Sequence, residues 1–420
     1  MPIMNQEFYN MKTKHFISIL AALFITTGLF AATSFSGYAG GKLNYAANPE
    51  QTDYDPDLKL QAFFAGQFNF SQNIWSHLEF SINTQDLLGE SIFHDTDSKF
   101  QIDELSIIMR GNMYNCANYF SAFMGTYDPI GSDVFLQRYF NIKPIGSKIT
   151  ESYLGLAGSI LYPHFGIGLS DIIKLYNEPI AFGGYIYMNH EKDIFGENKG
   201  DYYVLNSDLR FATVLRYLTL DLAGGIGVPL ADKYHGEDVL LIVDKVYWHA
   251  GTTILIGNNF TNSLFIQAGI NNASFTKKQD SSIVSPKEIY LLFEPRLRVG
   301  DGHFNISVFS LPTSTVAKLL IIDDTLGVDT NIYGEASTTG SNQVTFGTHV
   351  CVSFTDKYFN DVKDFMNLTS NGYNVNVTPY VTTTFLSGEL HIQATARLKE
   401  FMNNHSERGV LLDIGYRTKF

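Results

Sequence analysis

The fold that this sequence predicts is all-β: a single transmembrane antiparallel β-barrel of about 16 or 18 strands. Three observations predict it. Polar and apolar residues alternate with a period of two along most of the chain, which gives strands one greasy and one wet face. The alternating segments run about 10–13 residues, longer than the roughly 5–6 of soluble strands and long enough to cross a hydrocarbon layer when tilted. Short polar turns take turns with longer polar loops, as in barrels whose two ends face different compartments.

The elements follow in chain order. Residues 11–32, MKTKHFISILAALFITTGLFAA, set two lysines before a mostly apolar run and end on Ala31 and Ala32. That is the pattern of a secretory signal peptide, and its apolar run falls short of the roughly 20 residues of a membrane helix. With Met11 as a start, residues 1–32 are an N-terminal extension and signal peptide, and 33–420 form one barrel without a linker. The first strand is expected in TSFSGYAGGKLNY (33–45), whose glycines suit a tightly curved seam.

In LKLQAFFAGQFNF, Leu58, Leu60, Ala62, Phe64, Gly66 and Phe68 share one face, with Lys59, Gln61, Gln67 and Asn69 on the other. After a polar turn, IWSHLEFSIN returns with Leu78, Phe80 and Ile82 opposite His77, Glu79 and Asn83, a hairpin. The device recurs in YVLNSDLRFATVL and LTLDLAGGIGV, in EIYLLFEPRLRV and HFNISVFS, and in NVNVTPYVTTTF and GELHIQATARL. Longer connections are expected at 85–100, 128–150, 191–202, 229–244, 273–287, 357–373 and 399–408. Strand counts begun from the two ends fall out of phase between residues 128 and 190, which leaves 16 and 18 both open. Helical spacing is hinted at only in DVLLIVDK and TVAKLLII.

An open sheet of so many amphipathic strands would leave edges and a wide apolar face uncovered. In a bilayer every backbone polar group must be bonded within the protein, so the sheet must close on itself. Composition agrees: 17% of residues are charged, below the usual quarter, and 33 Phe and 24 Tyr supply aromatic surface. A net charge of −13 argues against a nucleic-acid partner. Cys116 and Cys351 make neither a disulfide framework nor a metal-ligand spacing. No metal or cofactor is expected.

The chain ends on LLDIGYRTKF, where Leu412, Ile414, Tyr416 and Phe420 alternate with Asp413, Gly415, Arg417 and Lys419. This ending resembles the C-terminal insertion signal of bacterial outer-membrane barrels, carried by Tyr416 and Phe420, with Thr418 as a departure from the pattern. The resemblance implies a final strand read by the barrel-assembly machinery before it closes against the first, and outer-membrane lipid as the surroundings. The aromatic-rich, Lys-light composition is similar to that of spirochaete barrel proteins.

If apolar faces point outward, the polar set lines the lumen, where fixed charges decide which solutes pass. The pore-lining candidates are Glu79, Arg110, Asp208, Arg210, Asp221, Glu294, Arg296, Arg298, Arg397 and Arg417. Loop 128–150 repeats PIGS at 129–132 and 144–147 around VFLQRYF. Phe135, Arg138, Tyr139 and Phe140 are therefore candidates for a constriction that folds inward, as porin-type barrels use an early loop. Four histidines, His77, His249, His303 and His391, alternate into polar faces, but no nucleophile–base motif accompanies them, and no enzymatic activity is expected. The simplest function is passive diffusion of small hydrophilic solutes. The alternatives are a transporter similar to the long-chain fatty-acid family, whose Asn-Pro plug motif has a counterpart in Asn48-Pro49, and a non-conducting adhesin or structural barrel.

Overall fold

The computed structural model describes residues 34–47, 56–84, 98–150, 161–192, 201–231, 246–274, 289–337, 343–354 and 372–420, except a few single positions, together with Leu87 and short pieces of 233–242. The extension and signal peptide lie outside the described residues, as do most of loops 85–100, 273–287 and 357–373 and half of DVLLIVDK.

The first nine strands are β1 (Ser34–Ala47), β2 (Pro56–Asn69), β3 (Ile74–Thr84), β4 (Ser98–Met113), β5 (Cys116–Thr126), β6 (Phe165–Leu175), β7 (Ile180–Lys192), β8 (Asp201–Val214) and β9 (Leu218–Leu230). The other nine are β10 (Tyr247–Ile256), β11 (Ser263–Ser274), β12 (Ile289–Val299), β13 (Gly302–Ser310), β14 (Leu326–Ser337), β15 (Gln343–Phe354), β16 (Asn374–Phe385), β17 (Gly388–Arg397) and β18 (Val410–Lys419). Each pairs antiparallel with its neighbour in sequence, and β18 pairs with β1 from Tyr38 opposite Lys419 to Ala46 opposite Leu411. The sheet is a closed barrel of 18 strands.

Closure depends on backbone proximity at the seam. A Cβ on Gly40 would lie 2.2 Å from the Tyr416 carbonyl oxygen and 2.4 Å from the Phe63 ring, so only glycine fits there. Phe420 exchanges two backbone hydrogen bonds with Gly37, and its ring stacks on Phe35 and Phe64 at centroid distances of 5.0 and 5.7 Å. The apolar terminus thus covers the seam on the outer wall.

Both described ends of the barrel chain and the tight turns, such as 70–73, 114–115, 300–301 and 386–387, lie at one rim. The long connections leave the other rim. Outward positions are apolar, with Leu209, Leu291, Phe293, Ile332 and Phe346 exposed, while Asn206, Asp208, Glu294, Asn331 and His349 are buried inside. This is the arrangement of a barrel bathed in hydrocarbon. Asp171 is an exception at mid-wall: it faces outward beside Leu169, held by the Asn118 side chain.

The phase break in the strand count has a simple cause. Residues 127–164 are one long connection between β5 and β6, and the barrel resumes only at Phe165. Of the helical hints, TVAKLLII (315–322) shares only Thr315 and Val316 with a single helical turn, Thr313–Val316.

Candidate functional site

The lumen is partly filled by the 127–164 connection, whose described parts are 127–150 and 161–164. Its helix α1 (Val134–Phe140) spans VFLQRYF, starts after Asp133 and stops at Asn141 in the left-handed region (φ 53°). The two PIGS repeats have different tasks. In the first, the Ser132 hydroxyl donates to the Pro129 carbonyl at 3.0 Å and prepares the helix start. The second is gripped by Asp133, whose Oδ2 accepts the Ile145 and Gly146 N–H groups at 2.8 Å each. Burial pushes the Asp133 carboxyl up to about 6, although those two donors pull it down. Asp128, also buried in the loop, is raised by burial against the pull of Arg138 and Arg210.

Wall side chains staple this loop to the barrel. Glu104 on β4 accepts from Arg138 Nη2 with both carboxylate oxygens, at 2.9 and 3.0 Å, and Arg138 Nη1 donates to Asp128 at 2.6 Å. Lys174 on β6 donates to the Tyr139 carbonyl (2.6 Å), Arg210 on β8 to that of Asp128 (2.6 Å), and Gln267 on β11 to that of Gly131 (2.6 Å). On β12, Arg296 donates to the Ile145 and Gly146 carbonyls at 3.0 Å, and Glu294 accepts from Ser147. Charge-assisted bonds of this kind are among the stronger polar contacts when water is excluded. Beneath them the loop is apolar: Ile130, Phe135, Leu136, Tyr139 and Leu161 pack with Ile108, Phe123, Ile172, Phe265 and Leu292 of the wall in one buried cluster.

At the loop's return, His164 Nε2 stands 2.9 Å from Asp208 Oδ2, and His249 Nε2 stands 3.1 Å from the same oxygen. Tyr187 donates to that carboxylate at 2.9 Å, and the Tyr162 ring stacks on His249 at 3.5 Å. The loop's second leg is thus packed against β8 and β10 through Asp208 and His249.

The connection 311–325 also turns inward, with Leu311, Val316 and Ile322 buried. Asn376 on β16 donates to the Ile321 carbonyl (3.0 Å), and Arg397 on β17 pairs with Asp323 (3.0 Å). Between these two loops and the wall of β1 and β15–β18 remains a cavity of about 790 Å³. Its lining runs from Gln101, Asp103 and Asn271, near the loop ends of their strands, to Gln343, Ser387 and Lys419 at the turn rim. The cavity therefore extends along the barrel axis.

The charged candidates divide into groups. Arg417 lines the cavity, paired with Glu389 at 2.8 Å. Arg210, Glu294 and Arg296 dock the loop, and Asp221 holds Arg210 through bonds of 2.8 and 2.5 Å. Asp208 is covered by its histidines, and Glu79 is buried with His77 Nε2 at 3.7 Å. These six point inward but do not line the open cavity: Arg210, Glu294, Arg296 and Asp208 meet loop atoms, Asp221 pairs with Arg210, and Glu79 is buried beside His77. Arg110 lies by the Tyr119 ring (5.9 Å), Arg298 donates to the Gly300 carbonyl at a tight turn (3.2 Å), and Arg397 braces the second loop. The constriction candidates enter the barrel but turn toward its wall: Phe135 and Tyr139 are buried, the Arg210 guanidinium lies 4.1 Å from the Phe135 ring, and Lys174 lies 5.3 Å from that of Phe140. The cavity is bounded instead by Lys148, Ile149, Thr150 and Leu161. Sequence reasoning also passed over Lys42, Asp103, His349, Thr382, Glu389, Gln393 and Asp413 as lining residues. Tyr416 donates to the Leu386 carbonyl in the β16–β17 turn, and Phe420 bonds and stacks at the β18–β1 seam.

No family model matches the chain, and no curated protein matches it. Similar solved structures include a mutant of the Rh. blastica porin (11% identity over 93% of this chain and 100% of that one, TM-score 0.44). Others are Salmonella typhi OmpF in complex with daunomycin (9%, 92% and 97%, TM-score 0.37) and a loop-deletion mutant of OmpT, an outer membrane protein of Vibrio cholerae (8%, 93% and 99%, TM-score 0.37). With such scores, the functional reading rests on the geometry of this barrel alone.

Proposed function

We propose that the protein is an outer-membrane channel through which small hydrophilic solutes diffuse passively. The observation that carries the reading is the axial cavity, bounded by wall residues that face one another across water-accessible space, within a barrel whose outer face is apolar. A closed barrel in a bilayer offers polar solutes a path only through its lumen. The inserted loops narrow that path while the charged wall side chains hold them in place. A cargo that is hydrophobic throughout gains little from the β16–β17 side, where Thr382, His391 and Gln393 line the cavity.

The test is single-channel recording of the folded protein in a planar bilayer. Stable openings are expected, and Gln393→Trp, which puts a large ring into the cavity, should lower the conductance several-fold. Leu209→Trp, on the outer wall, should leave it unchanged. A folded, heat-modifiable barrel that never conducts would overturn the reading.

A further inference from the structure

The charges along the cavity are largely neutralised by one another. Lys42 pairs with Asp413 at 2.7 Å and Arg417 with Glu389 at 2.8 Å, both across adjacent strands of the open wall. The lining as a whole is close to balanced, with Lys42, Lys148, Arg417 and Lys419 against Asp103, Glu389 and Asp413. Such a lining gives neither sign of ion a strong advantage, since selectivity for an ion needs an unbalanced field.

Between the pairs the wall consists of groups that can both donate and accept. Thr382 and His391 share a hydrogen bond (2.8 Å from Oγ1 to Nδ1), and His391 Nε2 lies 3.3 Å from Gln393 Oε1. This short relay orients the imidazole, and Gln393, itself a lining residue, has an NH₂ group that can donate. Tyr380 lies beside it, with ring centroids 5.3 Å from His349 and 6.2 Å from His391. The loops add apolar surface at Leu319 and Leu320. The passage is thus amphipathic along its length: neutral bifunctional groups and aromatic rings on the wall, aliphatic side chains on the loops.

We propose that the passage binds and conducts uncharged polyhydroxylated solutes of the sugar or polyol class, with the Thr382–His391–Gln393 row as its recognition element; this rests on the channel reading above. The chemistry matches on both counts. Hydroxyl groups donate and accept at once, as threonine, glutamine and neutral histidine do. The C–H faces of a sugar ring suit aromatic and aliphatic walls. A cavity of about 790 Å³ lies within the roughly 300–1,000 Å³ typical of small-ligand sites. A site built on such hydrogen bonds disfavours solutes that leave its polar groups unpaired.

The experiment is planar-bilayer recording of the full-length protein with sucrose, sorbitol, a polyethylene glycol of similar size, sodium gluconate and glucosamine added in turn. The reversal potential in a KCl gradient should lie near zero. Sucrose should interrupt the current in a saturable manner, at lower concentration than the glycol, gluconate or glucosamine. In Thr382→Val with Gln393→Leu, which keeps side-chain volume, sucrose should be about tenfold less effective at interrupting that variant's own open-channel current, as expected for the loss of one or two hydrogen bonds. Heat-modifiability of the double variant verifies that it has folded. Interruption that depends only on solute size, or that is strongest for a charged solute, overturns the proposal and leaves the channel reading standing. Absence of any conductance overturns both.

Discussion

Asp133 shows how much one side chain can govern. Its carboxylate bridges the two PIGS repeats through the Ile145 and Gly146 N–H groups, yet burial raises its pKa from 3.8 to about 6. A carboxyl raised on folding stabilises the native state fully below its unfolded pKa, and that contribution is lost as pH rises through the folded value. Two units at about 1.4 kcal/mol each give an upper bound of about 3 kcal/mol. The thermal midpoint of the wild type should therefore drop between pH 4 and 7 by more than that of Asp133→Asn, whose amide oxygen can still accept. Parallel melting curves across that range would show that Asp133 does not titrate there. The repeat itself was visible in the sequence, but the acceptor between its copies was not, because nothing local distinguishes Asp133 from an ordinary helix-start aspartate.

Among the elements, the inserted loop is decided by apolar fit as well as by charge. Glycines of β10 and β11 leave room on the inner wall: a Cβ on Gly251 would lie 2.7 Å from Ile130 and 2.9 Å from Leu161. Gly251→Leu should push the loop off the wall and lower stability by about 1–3 kcal/mol, the usual cost of overpacking. Recorded currents should then become larger and noisier, while the barrel still migrates as a folded species before heating. A quiet channel of unchanged conductance would mean that the loop does not depend on this fit. The sequence does carry a trace of the arrangement. Ile108, Ile172 and Leu292 each follow or precede another hydrophobe, which breaks the strict alternation and places an apolar side chain inward. These three doublets mark wall positions that the loop covers. By contrast the inward row Thr378, Tyr380 and Thr382 of β16, beside the passage, keeps polar or amphipathic groups.

For the molecule as a whole, one closing seam completes the structure. β1 and β18 approach closely enough that Gly40 has no room for a side chain. Gly40→Val should therefore yield a barrel that cannot complete its hydrogen-bonded ring. On a denaturing gel its unheated form should run with the heated one, and protease should cut it within strands that the wild type protects. Retention of heat-modifiability would show that the seam can yield. An open edge in hydrocarbon leaves unpaired N–H and C=O groups, each costing several kcal/mol, so closure is all or nothing.

The sequence by itself determined the strands, their inward and outward faces, the closed barrel and the stretch where the strand count fails, because a period of two and a ten-residue span are local properties read directly from residue order. Only the tertiary structure decided which inward charges meet open space. Arg210, Glu294 and Arg296 alternate inward just as Arg417 does, yet loop carbonyls accept from the two arginines and the Ser147 hydroxyl donates to Glu294, while Arg417 stays beside the cavity. The difference lies in what a loop more than a hundred residues away along the chain from Glu294 and Arg296 places opposite them. No pattern within a strand carries that information.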